Sequence, residues 1–199
     1  MYEGKVKMKI GIDIDGVLTD YFKFIVTYGI KFCYENNINY KISEEKYYEG
    51  ELLNITDEEI EMFWNKYLEF YGSRYPVRQY ASEVIKKLKE NNEIYIITAR
   101  NEEGLPEDKI GLMKTFTQNW LKDNNIVYDS LAFVSGNKVE YCLKNNIDII
   151  VEDSPRNIAK LSQHLKVLCF DAPYNKAVND KNVTRVYSWY DILKKINLQ

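Results

Sequence analysis

Apolar residues recur along this chain in two rhythms. Near the start, Val6, Met8, Ile10, Ile12 and Ile14 alternate and mark a buried strand over residues 6–14. From Asp20 to about Asn36 the pattern turns helical, with Phe22, Ile25, Val26, Gly29, Ile30 and Cys33 on one side. Asp20 is placed to cap that helix. Polar residues 36–41 break it, and a short helix is expected after Ser43. Thr56-Asp57-Glu58-Glu59 is a capping box. It opens a helix through Ile60, Phe63, Trp64, Tyr67 and Phe70 that Gly72 closes. Its aromatic residues sit at helical spacing, which reads as core packing.

After Pro76 strands and helices alternate. A helix over about 80–90 leads into an apolar strand over 93–98 that ends in Thr98. A loop with Gly104 and Pro106 precedes a helix over about 108–123, a strand over 130–134 and a helix over 138–145. The strand over 147–151 runs into Glu152-Asp153, and Ser154-Pro155 starts the next helix. A last strand over 167–170 ends at Asp171, and a helix over 188–196 closes the chain. This order predicts an α/β fold, a doubly wound (Rossmann-like) parallel sheet with helices on both faces. Residues 20–75 carry no strand pattern. The expected organisation is a core of 1–19 and 76–199 with a small helical cap, 20–75, inserted after the first strand.

Composition narrows the partners. At 199 residues, 45% hydrophobic and 29% charged, the chain can build one full core. Its net charge of −3 argues against coating nucleic acid. Cys33, Cys142 and Cys169 are scattered, as expected of reduced thiols in a cytoplasmic protein. No apolar run approaches the roughly 20 residues a membrane span needs, so no membrane partner is expected. Monomer and homodimer stay open. The one histidine, His164, lies among Leu161, Leu165 and Val167 and reads as a packed or surface residue. Lys86, Lys87 and Lys89 read as a solvated helix face.

The chemistry gathers at strand ends. Asp13 and Asp15 are spaced i, i+2, so an extended strand would present both on one face. Two carboxylates that close repel unless a hard cation such as Mg²⁺ neutralises them. Gly16 then lets the backbone turn away. The plainer alternative is an Asx-type turn with both acids solvated. Ligands of open parallel sheets bind outside the carboxyl ends of the strands. There this chain places Asp13 and Asp15, Thr98, and Glu152 and Asp153, while Lys138 opens a helix. Acids from two strands can hold one Mg²⁺, and a hydroxyl with a lysine can hold an anion. This is equipment for phosphoryl transfer to an aspartate nucleophile.

In their order, Asp13-Ile14-Asp15-Gly16-Val17, Thr98, Lys138 and Glu152-Asp153 resemble the four motifs of the haloacid dehalogenase-like superfamily, over residues 8 to 172. Asp-Ile-Asp-Gly-Val-Leu-Thr-Asp-Tyr, Ile-Thr-Ala-Arg and Val-Glu-Asp-Ser-Pro-Arg-Asn-Ile are similar to the 5′(3′)-deoxyribonucleotidase type C family and its bacterial relatives. Asp171-Ala172-Pro173-Tyr174-Asn175 resembles the latter too. The resemblance implies a Mg²⁺-dependent phosphate monoester hydrolase acting on a small phosphorylated substrate, a nucleoside monophosphate. Asp13 would be the nucleophile and Asp15 the acid and base. Asp13, Asp153 and Asp15, through its carbonyl, would ligate the metal, with Glu152 in support. Thr98, the Ala99 amide and Lys138 would hold the phosphate. Superfamily dehalogenases lack the acid at Asp15, so its presence favours phosphate chemistry. Tyr21 is a candidate base-stacking residue, Arg100 a candidate substrate contact, and Tyr47 and Tyr48 further cap candidates. Alternatives are a sugar-phosphate or other metabolite phosphatase, a nucleic-acid 3′-phosphatase and a non-catalytic binding protein.

Overall fold

The computed structural model describes residues 7–100, 111–134 and 136–198. Among them six strands form one parallel sheet in the order β3-β2-β1-β4-β5-β6. The strands are β1 (Met8–Ile12), β2 (Asn92–Thr98), β3 (Ser130–Phe133), β4 (Ile149–Glu152), β5 (Lys166–Phe170) and β6 (Val183–Val186). The order reverses between β1 and β4, which is where such sheets bind ligands.

Alternation along the strands feeds two cores. Ile10, Ile12, Ile149, Val151, Leu168 and Phe170 pack on one face with helices α5 (Ala81–Lys89), α6 (Leu112–Asp123) and α9 (Trp189–Asn197). Ile97, Ile150, Val167 and Cys169 pack on the other with α7 (Lys138–Lys144) and α8 (Pro155–Leu161). Among the described residues no helix is long and apolar enough to cross a membrane.

Between β1 and α5 the chain builds a third apolar cluster of its own, centred on Phe24, Phe32, Leu52, Leu53 and Phe63. It is made by α1 (Tyr21–Phe24), a π-helical turn Ile25–Gly29, α2 (Ile30–Glu35), α3 (Glu49–Leu53) and α4 (Asp57–Ser73). Phe63 and Tyr67 lie in this core, and Trp64 and Phe70 pack half-buried against it. Asp20 caps α1 by accepting from the Lys23 amide, and Thr56 and Glu59 close the capping box of α4.

Three local expectations change, and one is untested. The first helix buries Tyr21, Phe24, Ile25, Gly29, Phe32 and Cys33, while Phe22 and Val26 pack only half-buried against that core; a π turn at Ile25–Gly29 interrupts the regular helical spacing. The short helix forms at Glu49 and not after Ser43, where only a turn closes. Leu52 and Leu53 bury there, and their carbonyls bind the amides of Ser43 and Lys41. Five strands were expected, and β6 makes the sixth: it is a short, polar edge strand whose one fully buried side chain is Val186. The expected Gly104–Pro106 loop and the Asp108 start of α6 lie outside the described residues.

Arg78 ties together the two places where the chain passes between this segment and the sheet. Its guanidinium donates to the carbonyls of Thr19 and Gly16 and to Asp20 Oδ2, at 3.1, 3.2 and 3.1 Å, and lies over the Phe170 ring. A lysine cannot reproduce that fork. Arg78→Lys should therefore lower stability by about 1–3 kcal/mol, measured by urea denaturation. An unchanged midpoint would show that the clamp is dispensable.

Candidate active site

β1 delivers Asp13 to the point where the strand order reverses. The Asp13 amide donates to the Val151 carbonyl at 3.0 Å, continuing the β1–β4 pairing one step past Ile12. The chain then coils tightly, and the amides of Val17, Leu18 and Thr19 all point at the Ile14 carbonyl. Gly16 turns this coil at φ +89, and a Cβ there would lie 1.9 Å from Asp153 Oδ2. Only glycine fits both demands.

Asp13 and Asp15 lie past the end of the strand expected to present them, although the Asp15 charge still acts on Asp13. β1 ends at Ile12, and the two carboxylates go to different partners. Asp13 Oδ1 lies 2.8 Å from Lys138 Nζ. Asp15 Oδ1 accepts from Arg100 Nη2 at 2.6 Å, Arg100 Nε at 3.0 Å and the Tyr71 hydroxyl at 2.7 Å. The cluster of acids that could hold a cation is instead Asp13, Glu152 and Asp153, with ligand atoms all within 4.8 Å of one another.

Within that cluster the three acids differ. Glu152 is filled: Oε1 accepts from the amides of Asp153 and Ser154, and Oε2 from Lys138 and Asn157. Asp153 is held by its neighbours but not filled. Its Oδ2 accepts from the Tyr174 hydroxyl and its carbonyl from Asn175 Nδ2, while Oδ1 is buried with no partner. Burial, then the Glu152 charge, push Asp13 well above its ordinary value, with Lys138 pulling the other way. Burial, Glu152 and Asp13 push Asp153 well above it too. Lys138 loses by burial but is held above its ordinary value by Asp13 and Glu152. A partnerless buried carboxylate oxygen beside a second carboxylate is a hard-cation site by its donor chemistry.

Thr98 ends β2 fully buried and accepts from the Arg100 amide, and Ala99 is exposed in the turn between them. Arg100 is committed to Asp15, and its guanidinium lies 5.1 Å from the Tyr71 ring centroid and 5.6 Å from that of Trp120. Tyr21 is 7% exposed, donates to Glu49, and packs against Tyr47 and Tyr71. Tyr47, half-buried, lies nearer the acids. Burial and then the charges of Asp153, Glu152, Asp13 and Asp15 push its hydroxyl well above the usual range. Tyr48 is exposed at the edge. His164 is an exposed residue in the turn after α8.

Sequence reasoning did not single out Tyr71, and it quoted Tyr174 and Asn175 only within the Asp171–Asn175 motif, without a role. For Tyr71 a signal existed: it continues the Phe63, Tyr67 face of α4, where a buried hydroxyl needs a partner.

Comparison with known proteins places this geometry. The family model described as "5′ nucleotidase, deoxy (Pyrimidine), cytosolic type C protein" matches residues 7–199. The chain belongs to this family. A nucleotidase from Clostridium acetobutylicum is 32% identical over 192 residues, covering 94% of this chain and 92% of its own. The fold matches a haloacid dehalogenase-like hydrolase from Streptococcus pneumoniae, with TM-score 0.61 and 11% identity over 96% and 98% of the two chains. It also matches a Bacillus subtilis HAD hydrolase bound to magnesium, whose structure is described as revealing interdomain movement. There the TM-score is 0.58 and the identity 14%, over 97% of this chain and 100% of that one. The protein is thus a phosphoric monoester hydrolase, and its fold is that of the haloacid dehalogenase-like hydrolases.

Two outcomes follow from the cluster. Gly16→Ala should drive Asp153 off its Tyr174 partner and abolish hydrolysis, with about 1–3 kcal/mol lost to backbone strain alone; an active, equally stable variant would refute the close approach. The raised carboxyls of Asp13 and Asp153 favour the metal-free fold while protonated. That contribution fades as pH climbs from the ordinary value of 3.8 through the raised folded-state values. A divalent cation replaces those protons, so Mg²⁺ should raise Tm more at about pH 8 than at about pH 5. An equal rise at both would count against these ligands.

Proposed function

We propose that the protein hydrolyses nucleoside monophosphates, deoxyribonucleotides foremost, through an aspartyl-phosphate on Asp13. The observation that carries this reading is the buried Asp13–Lys138–Glu152 ion cluster beside the unpartnered Oδ1 of Asp153. Asp13 attacks phosphorus, and the bond to the ester oxygen breaks. Asp15 gives that oxygen its proton, so the nucleoside leaves neutral. Asp15 then takes a proton from water as the water attacks the phosphoryl group, releasing phosphate and restoring Asp13. Thr98, the Ala99 amide and Lys138 hold the phosphoryl oxygens. Asp13, Asp153 and the Asp15 carbonyl would hold Mg²⁺, with Glu152 fixing Lys138 and the Asp153 turn. When bound, the cation supplies positive charge against the phosphoryl oxygens. The magnesium in the Bacillus subtilis neighbour fits that choice.

Residues 20–75 act in this reading as a cap over a core of 1–19 and 76–199. Asp13 is 5% exposed and Asp153 fully buried, so a phosphate enters only when the cap lifts. Specificity then comes from the cap's aromatics. Tyr47 faces the acids, and Tyr21 backs it with ring centroids 5.8 Å apart. A base stacked on such a wall gains roughly 1–3 kcal/mol.

A phosphate-release screen over deoxy- and ribonucleotides, sugar phosphates and nitrophenyl phosphate tests the reading. Asp13→Asn should abolish turnover of every substrate, and chelator should do the same to the unaltered protein. Tyr21→Ala and Tyr47→Ala should each raise KM for nucleotides about tenfold, in line with the stacking energy, and leave nitrophenyl phosphate nearly unaffected. A strong phosphosugar preference indifferent to both tyrosines would leave a phosphatase but remove the nucleotidase. Substantial activity of Asp13→Asn would remove the mechanism.

A further inference from the structure

The sheet end supplies Asp15, but a residue of the inserted helices orients it. Tyr71 lies in the last turns of α4, 3% exposed, with its ring packed on Phe24 at 4.3 Å and on Trp64 and Tyr75. Its hydroxyl leaves that apolar layer and reaches Asp15 Oδ1 at 2.7 Å. The same hydroxyl lies 2.9 Å from Thr19 Oγ1. Asp15 Oδ1 faces the Arg100 donors and accepts whether or not Oδ2 carries the catalytic proton, so the Tyr71 proton goes to Asp15. Thr19 then donates to Tyr71, and the hydrogen bonds run Thr19 to Tyr71 to Asp15, each polarising the next.

The load on Asp15 is uneven. Oδ1 takes three donors, Arg100 Nη2, Arg100 Nε and Tyr71. The Arg100 Nε–H is shared between the two oxygens, at 3.0 and 3.1 Å, and among the described residues it is the one donor that reaches Oδ2. Arg100 is itself fixed between the rings of Tyr71 and Trp120, so Tyr71 acts on Asp15 twice, by its hydroxyl and by its face. We propose that Tyr71 is a positioning residue: with Arg100 it locks Asp15 Oδ1, leaving Oδ2 as the oxygen that exchanges the proton with the leaving group and the water. Tyr71 belongs to the inserted segment, so the acid is set only while that segment is seated on the core. Turnover by the proton-transfer route is thereby coupled to closure. This rests on the reading of Asp15 as acid and base.

The test compares leaving groups. Proton donation matters for a nucleoside leaving group and little for nitrophenolate, which departs as an anion. Tyr71→Phe keeps the ring and its packing and removes only the hydroxyl. It should lower kcat about tenfold on a nucleoside monophosphate and less than about twofold on nitrophenyl phosphate, with both KM values nearly unchanged. Thr19→Val should give the same selectivity, more weakly, because it removes the 2.9 Å donor to Tyr71 and, besides that, only a long 3.3 Å contact to the Ile14 carbonyl. A ring acting only in packing would change both substrates alike and shift KM or Tm. Asp15→Asn, measured in parallel, separates the two claims. If Asp15→Asn is selective for the nucleotide while Tyr71→Phe is flat or equal on both, the positioning role is overturned and the acid–base reading stands. If Asp15→Asn itself loses equally on both, the acid–base reading falls and this proposal falls with it.

Discussion

Like charges crowded out of water are what the rest of this molecule is arranged around. Asp13, Glu152 and Asp153 converge where the strand order reverses, and Lys138 bridges two of them. Burying such groups costs several kcal/mol per ion unless each finds a partner. The chain meets this cost unevenly. Glu152 is satisfied by two amides, an amide side chain and Lys138, while one oxygen of Asp153 is left without a partner. A site built only for stability would have filled that position. Burial and the Glu152 charge hold the carboxyls of Asp13 and Asp153 above their ordinary value, and the open oxygen fits a cation that would relieve them.

Two of the 17 tyrosines share one role against this background. Tyr71 and Tyr174 each pack the ring among other aromatic rings and donate the hydroxyl to a carboxylate. Phenylalanine would pack as well but leave Asp15 and Asp153 short of donors. Tyrosine lets one side chain belong both to the core of the inserted helices and to the polar centre beneath them. Arg78 and Arg100 work in a similar double way: Arg78 lies over Phe170 and Arg100 between Tyr71 and Trp120, and each forks to the coil after β1. Aromatic faces and charged forks thus hold the inserted segment to the sheet.

The strand-end chemistry was legible because it follows from local rules. Period-2 apolar runs identify buried parallel strands, and parallel strands put their functional residues at the carboxyl end. Asp13, Lys138, Glu152 and Asp153 could therefore be grouped from three separate stretches of sequence, and the ion pairs and the acid cluster join them; the capping box at Thr56 located α4. Where period and composition said less, reading faltered. β6 has a single fully buried side chain, and the π turn at Ile25–Gly29 leaves no pattern in the residues that form it.

Tertiary structure alone decided the partners. The sequence determined that Asp13 and Asp15 stand two apart. It did not determine that β1 stops at Ile12, that Asp13 turns to Lys138, or that Asp15 turns to Arg100 and Tyr71, 85 and 56 residues away. Nor did it determine which carboxylate oxygen stays open, since that depends on Tyr174 and the amides after β4 arriving together. Periodicity is written into neighbouring residues, whereas hydrogen bonds are written into distances that exist only once remote segments have packed.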